Sequence, residues 1–200
     1  NDLRNGYWQY WFENSTQMEM DGWYKNDKED SAWTFWYPNG QKYKEGFFVE
    51  GVRDSLWTFW FESGQKLQEG KLSMGKEEGF WSSWWDNGNP KDQGSFAKGI
   101  MTGKWEGWYY NGKTNYSGEY LKGRKTGKWN YWWDNGTLHQ TGKYRYGMKH
   151  GKWSTWSKHG ILEESGNYYY DKLDGEWKFY YETGGLKTVT HYTEGKLSGK

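Results

Sequence analysis

Gly103-Lys104-Trp105-Glu106-Gly107-Trp108-Tyr109-Tyr110-Asn111-Gly112 is one pass through the pattern that decides the fold. Its first tryptophan recurs as Trp33, Trp57, Trp81, Trp105, Trp129, Trp153 and Trp177, always 24 residues apart. A second column, Trp36, Trp60, Trp84, Trp108, Trp132 and Trp156, follows three residues behind. A fixed period of this size marks a repeat architecture, in which each unit buries its apolar side only against its neighbours. The repeats cover 31–54, 55–78, 79–102, 103–126, 127–150, 151–174 and 175–198, after a degenerate first repeat at 6–30. They define one repeat domain over 1–200. Gly199-Lys200 reopens the pattern, so the repeat is expected to continue beyond residue 200.

Three glycine columns divide each repeat. Gly40, Gly64, Gly88, Gly112, Gly136, Gly160 and Gly184 often follow asparagine, as in Asn39-Gly40 and Asn111-Gly112. Asn-Gly between aromatic runs is a strong hairpin signal, because both central residues of a type I′ turn need φ > 0. Type I′ turns are therefore expected there. The second column is Gly46, Gly70, Gly94, Gly118, Gly142 and Gly166. It falls inside the returning strand, where glycine marks a bulge or a close approach. The expected neighbour is an indole ring lying over bare backbone. The third column, Gly51, Gly75, Gly99, Gly123 and Gly147, then Gly195, marks the link to the next repeat.

Glycines this frequent leave no room for a useful helix. Each repeat reads as one β-hairpin, with strands near 105–110 and 113–121 in the repeat quoted above. The predicted fold class is all-β: an elongated array of eight hairpins forming a twisted antiparallel sheet or open solenoid. Two strands per repeat give about 9–10 Å of rise, so eight repeats would span about 75 Å. Side chains alternate across a strand. The first Trp column therefore shares one face with Tyr37, Phe61, Trp85, Tyr109 and Trp133, and the second Trp column points to the other.

Composition supports a thin, aromatic structure. Of the 200 residues, 22% are aromatic, with 18 Trp and 18 Tyr, while the hydrophobic share is only 34%. Each buried aromatic ring removes about 150–250 Å² from water, so these rings must be the core. The net charge is +1, but residues 1–100 carry −5 and residues 101–200 carry +6. That polarity could steer a charged partner or favour head-to-tail contacts. There is no cysteine, which excludes disulfides, thiolate metal sites and a cysteine nucleophile. No apolar run is long enough for a transmembrane helix.

Motifs for catalysis are lacking. Glu62, Asp86, Asp134 and Glu182 recur beside the first turn, but Asp86 and Asp134 would stand about 20 Å apart on the strand spacing. That is too far for paired-carboxylate chemistry, and turn-stabilising roles are expected instead. His139, His150, His159 and His191 have no metal-ligand spacing and read as surface residues. No G-x-S-x-G or phosphate-cradling glycine motif occurs. Basic residues of the middle repeats are interspersed with Glu106, Glu119 and Asp134, which reads as a solvated strand surface.

The pattern G-x-W-x-x-W-Y-x-N-G, followed by a polar strand, a glycine, an aromatic and a second glycine, resembles the MORN-repeat variant of bacterial proteins. Some of those are described as antitoxin-like. The resemblance covers residues 6–200, with Trp where Tyr or Phe is commoner. It implies an elongated hairpin array that binds or scaffolds other proteins. The expectation is a non-enzymatic binding or scaffold protein with no cofactor and no metal. Its partner would be another protein or a second copy of the chain. The alternatives are a carbohydrate-binding module in a secreted or cell-envelope setting and a subunit of a larger assembly or filament. Nucleic acid and membrane insertion are not expected. The candidate binding face is the second column: Trp36, Trp60, Trp84, Trp108, Trp132 and Trp156.

Overall fold

The computed structural model describes residues 3–199, and the regular structure among them is entirely β. The chain divides between Ile100 and Met101 into two compact halves. The N-terminal half holds β1 (Gly6–Trp11), β2 (Met18–Lys25), β3 (Lys28–Trp36), β4 (Lys42–Val49), β5 (Val52–Trp60), β6 (Lys66–Ser73), β7 (Lys76–Trp84) and β8 (Pro90–Ala97). The C-terminal half holds β9 (Ile100–Trp108, its first residue at the division), β10 (Thr114–Leu121), β11 (Arg124–Trp132), β12 (Leu138–Arg145), β13 (Met148–Trp156), β14 (Leu162–Tyr169), β15 (Lys172–Tyr180), β16 (Leu186–Thr193) and β17 (Lys196–Gly199). Within each half, every strand pairs antiparallel with the next. The hairpin array read from the period is thus the architecture found.

One strand of each hairpin starts earlier than the sequence predicts. In the repeat quoted above it runs from Ile100 to Trp108 rather than from 105 to 110. The glycine before the Lys-Trp pair does not end the strand; it bends it. Gly103, Gly127, Gly151 and Gly175 have φ of 64–73°, and Ser31 and Ser55 take the same conformation. Ser31, Ser55, Gly127, Gly151 and Gly175 each lie at a register shift against the preceding strand. Between β4 and β5, Glu45 pairs with Thr58 and Phe47 with Asp54, so three residues of β5 stand opposite Gly46. Such an insertion turns the strand and re-aims a side chain.

The re-aimed side chain is the core tryptophan. Trp57 lies flat over Gly46, Trp81 over Gly70, Trp129 over Gly118 and Trp153 over Gly142. A Cβ on any of these glycines would fall inside the indole. The bulge also frees a carbonyl for the ring nitrogen. Trp57 Nε1 donates to the Phe47 carbonyl (3.1 Å), Trp81 Nε1 to Lys71 (3.0 Å) and Trp153 Nε1 to Lys143 (3.1 Å). All seven first-column tryptophans are buried. At ~25 cal/mol per Å², each contributes about 4–6 kcal/mol of gross burial energy. Neighbouring rings meet them edge-on, as in Phe48–Trp57 (5.1 Å between centroids) and Tyr144–Trp153 (5.1 Å). Basic stems roof several of them: Arg53 Cζ lies 4.7 Å from the Trp57 ring centroid and Lys125 Nζ 4.4 Å from that of Trp129. Burial pushes the Lys125 amine below its ordinary pKa.

The turns reverse the expectation. At Asn39-Gly40 only the glycine has positive φ. The Gly40 N–H donates to the Tyr37 carbonyl (2.9 Å) and the Tyr37 N–H to the Gln41 carbonyl (2.8 Å). This is a type I turn closed by a left-handed glycine, the longer of the common hairpin loops. Type I′ geometry instead occupies the links: Glu50-Gly51, Met74-Gly75, Lys122-Gly123 and Tyr146-Gly147 all have both φ values between 49° and 86°. The links are therefore as tight as the hairpins they join.

Both edges carry a ladder between repeats. At one edge, Asn39 Oδ1 accepts from the Gln41 N–H (2.9 Å) while Asn39 Nδ2 donates to the Glu62 carbonyl (2.9 Å); Asn111 and Asn135 repeat the arrangement. At the other, the Gly51 N–H donates to the Glu29 carbonyl and the Gly75 N–H to Arg53, each at 2.8 Å.

Gly142→Ala is expected to lower stability by about 2–3 kcal/mol through overpacking against Trp153, read as a urea midpoint shift; an unchanged midpoint would show that the indole does not need bare backbone. Met74→Asn should raise stability by about 0.5–1 kcal/mol, because Asn tolerates the left-handed region that Met does not. A lower midpoint for that variant would count against backbone strain at the link.

Candidate functional site

The six second-column tryptophans lie on the face opposite the core, and all are half-buried. Within the N-terminal half the fold aligns Trp36, Trp60 and Trp84; within the C-terminal half it aligns Trp108, Trp132 and Trp156. Each follows a one-residue register shift that pairs it with the start of the returning strand, Trp36 with Lys42 and Trp132 with Leu138, for example. Lys42 Nζ lies 5.6 Å from the Trp60 ring centroid and pairs with Glu45; Lys66 Nζ lies 5.4 Å from that of Trp84 and 2.8 Å from Glu69. Cation–π contact thus covers part of these two rings. The column also serves stacking. The backbone carbonyls of Trp60 and Trp132 accept from the Tyr37 and Tyr109 hydroxyls (3.0 and 2.7 Å), and that of Trp156 from Trp133 Nε1 (2.9 Å).

The same face carries a more exposed row that the sequence reading missed. In the N-terminal half it runs through Tyr7, Trp23, Ala32, Phe47 and Leu56 on β1 to β5, is interrupted by Lys71 opposite Leu56 on β6, and resumes at Phe80 on β7. Register establishes it: Tyr7 pairs with Trp23 and Ala32 with Phe47. Phe47 and Leu56 line one shallow depression together with Ala32, Thr34 and Thr58. Tyr7, Trp23, Phe47, Leu56 and Phe80 are 48–59% exposed. The row escaped detection because it alternates between two repeat positions. The usable signal was that Phe47, Leu56 and Phe80 are apolar where the later repeats carry Glu119 or Lys143, Lys128 and Lys152.

In the C-terminal half those positions are Lys104, Glu119, Lys128, Lys143, Lys152, Asn167, Glu176 and His191. Lys128 and Lys143 pair directly across β11 and β12, and like charges so placed are destabilising. Lys104, Glu119 and Lys128 share a depression with Glu106 and Ser117.

The turn carboxylates are exposed. Asp134 pairs with Lys158 of the next repeat (2.9 Å), which holds its carboxyl below the usual range. The asparagine beside it, not the carboxylate, closes the turn. His159 and His191 are exposed, but His139 and His150 are half-buried, against the surface reading. His139 sits at a register shift with its ring 3.8 Å from that of Trp133. His150 packs against Tyr169 and Tyr170, and its buried Nδ1 has no hydrogen-bond partner. Among the described residues, no group of three or more His, Asp or Glu side chains is placed to hold a metal ion.

The family model described as MORN repeat variant matches residues 29–50 and 173–194. Both segments start near the beginning of a hairpin and end at its link, and they lie a whole number of repeats apart. Those two segments are similar to that repeat. Among curated proteins, no relative matches the chain in sequence.

Burial lowers the pKa of His139, so the unfolded chain binds its proton more readily than the folded one. Its contribution to stability is whole above the unfolded value of about 6.5 and is lost as pH falls below it. The thermal midpoint is expected to fall between pH of about 7.5 and 5, and His139→Phe should flatten that slope. An equal slope in the variant would place the titration elsewhere.

Proposed function

We propose that every hairpin of the chain is a variant of the repeat matched at residues 29–50 and 173–194, and that the array is a non-enzymatic scaffold for another protein. The exposed apolar row of the N-terminal half carries this reading. Tyr7, Trp23, Phe47, Leu56 and Phe80 lie on the face opposite the core and are about half exposed. They contribute little to folding there. Exposed apolar surface rimmed by polar residues marks interaction sites, here continuous from Tyr7 to Leu56 with Phe80 beyond Lys71, and aromatic side chains are the usual interface anchors.

The second Trp column backs this row. Its half-buried rings give the face a firm apolar floor at the turn side, while the row offers the more accessible contacts. An antitoxin-like role, as in the bacterial proteins that the pattern resembles, would make the occupant a toxin protein. Strands fixed on both edges by hydrogen-bond ladders suit a rigid platform, which loses little entropy when a partner docks.

The test is a comparison of the wild-type chain with a Phe47→Ser/Leu56→Ser/Phe80→Ser variant. Both are expected to keep the same tryptophan fluorescence and thermal midpoint, since these side chains face water. Only the wild type should recover a stoichiometric protein from native lysate. With that protein in hand, Phe47→Ala alone should weaken binding about tenfold. Recovery of the same protein by wild type and triple variant would sink the assignment to this face.

A further inference from the structure

The linking edge of the C-terminal half holds a cavity of about 500 Å³ lined by Leu121, Lys122, Arg124, Thr126, Arg145 and Tyr146. No carboxylate lines it. Lys122, Arg124 and Arg145 are exposed, and none of their side chains makes a hydrogen bond or ion pair among the described residues, although the Arg145 guanidinium lies 5.5 Å from the Tyr146 ring centroid. Lys125 borders the cavity too, but it is already engaged, its Nζ donating to the Tyr131 hydroxyl at 2.8 Å. Arg124, Thr126 and Arg145 line it together, so both guanidinium groups border the same cavity. Two guanidinium groups on one cavity can both donate to a small anionic ligand.

Comparison between repeats shows what this site lacks. Asp54 and Glu78 occupy the repeat position of Thr126. Asp54 accepts from the Met74 N–H (3.0 Å) and Glu78 from the Lys98 N–H (2.8 Å), so each carboxylate sits on the first amide of a linking turn. Tyr146 carries the equivalent amide. Its N–H has no hydrogen-bond partner among the described residues, and Thr126 has no charge to offer it. At the position of Arg145, the N-terminal half has Lys25, Val49, Ser73 and Ala97, and Asp54 and Glu78 share a linking edge with Ser73 and Ala97. Thr102 and His150 also replace the carboxylate in their repeats, but here its place is bordered by Lys122, Arg124 and Arg145.

We propose that this cavity binds the phosphate monoester of a small soluble molecule. The phosphoryl group takes the place that the Asp54 and Glu78 carboxylates fill in their own repeats. Its oxygens accept from the Tyr146 N–H and from the planar forks of Arg124 and Arg145, a donor geometry matched to phosphate. Lys122 adds a third positive charge, which suits a dianion better than a single carboxylate. Leu121 and the Tyr146 ring border the cavity and supply apolar contact for the organic part of the ligand.

The experiment is titration calorimetry of the full chain with phenyl phosphate, alongside vesicles of phosphatidylcholine and phosphatidylserine. Phenyl phosphate should bind, and Arg124→Ala and Arg145→Ala should each weaken it about tenfold. Lys172→Ala, which removes an exposed lysine at the Arg124 position of a later repeat, should leave binding unchanged. Thr126→Asp restores the carboxylate; it should abolish binding and raise the thermal midpoint, as bound phenyl phosphate does for the wild type. Undiminished binding by Thr126→Asp would overturn the proposal. So would a loss in Lys172→Ala equal to that in Arg145→Ala, or binding to vesicles without binding of phenyl phosphate.

Discussion

An indole lying on a glycine of the preceding repeat is the contact on which the rest of this structure depends. It needs three things from the chain at once. The glycine must be bare, since a Cβ would enter the ring. The incoming strand must bulge, so that three residues face that one glycine. The carbonyl after the glycine must be free to accept from Nε1. Together these join burial to a satisfied polar group, as a buried indole requires. They also join each repeat to the one before it, so stability is close to a sum of nearest-neighbour terms.

The strict period follows from that contact and from the two edge ladders. The indole of Trp153, the side chain of Asn135 and the N–H of Gly147 each reach a partner in an adjacent repeat. They span 10, 23 and 22 residues of chain, and each keeps its span only while the repeat keeps its length. One inserted residue would shift at least one of them off its partner and reverse the side-chain alternation downstream. The repeats from 31–54 to 175–198 therefore keep one length, although many of their exposed residues outside the turns differ.

Much of this was legible in the sequence. The columns of Trp and Gly gave the hairpins, the core and the ring-over-backbone contact. The turn types were not legible, because Asn-Gly suits both a type I′ turn and a type I turn closed by left-handed glycine. What separates them is the Asn39 side chain, which spends its donor on the next repeat and its acceptor on Gln41. At the links, residues without left-handed preference, such as Met74 and Tyr146, adopt positive φ. There the ladder from the following glycine outweighs local propensity. The exposed row was hidden for a different reason. It is one line in space but two interleaved positions in sequence, and the bulge between them breaks the simple alternation.

The row also shows where this architecture leaves freedom. Ala32, Leu56 and Phe80 occupy the position of Lys104, Lys128 and Lys152, yet every one precedes a buried tryptophan, and a register shift marks the place at Ala32, Leu56, Phe80, Lys128 and Lys152. A position that accepts Phe and Lys in the same backbone is not being set by folding. Lys128 opposite Lys143 goes further, since that pairing costs stability that an apolar pair would not. The core face fixes the geometry through tryptophan and glycine. The opposite face is then free to vary in chemistry from repeat to repeat without disturbing the strands that carry it, which is the property a binding platform requires.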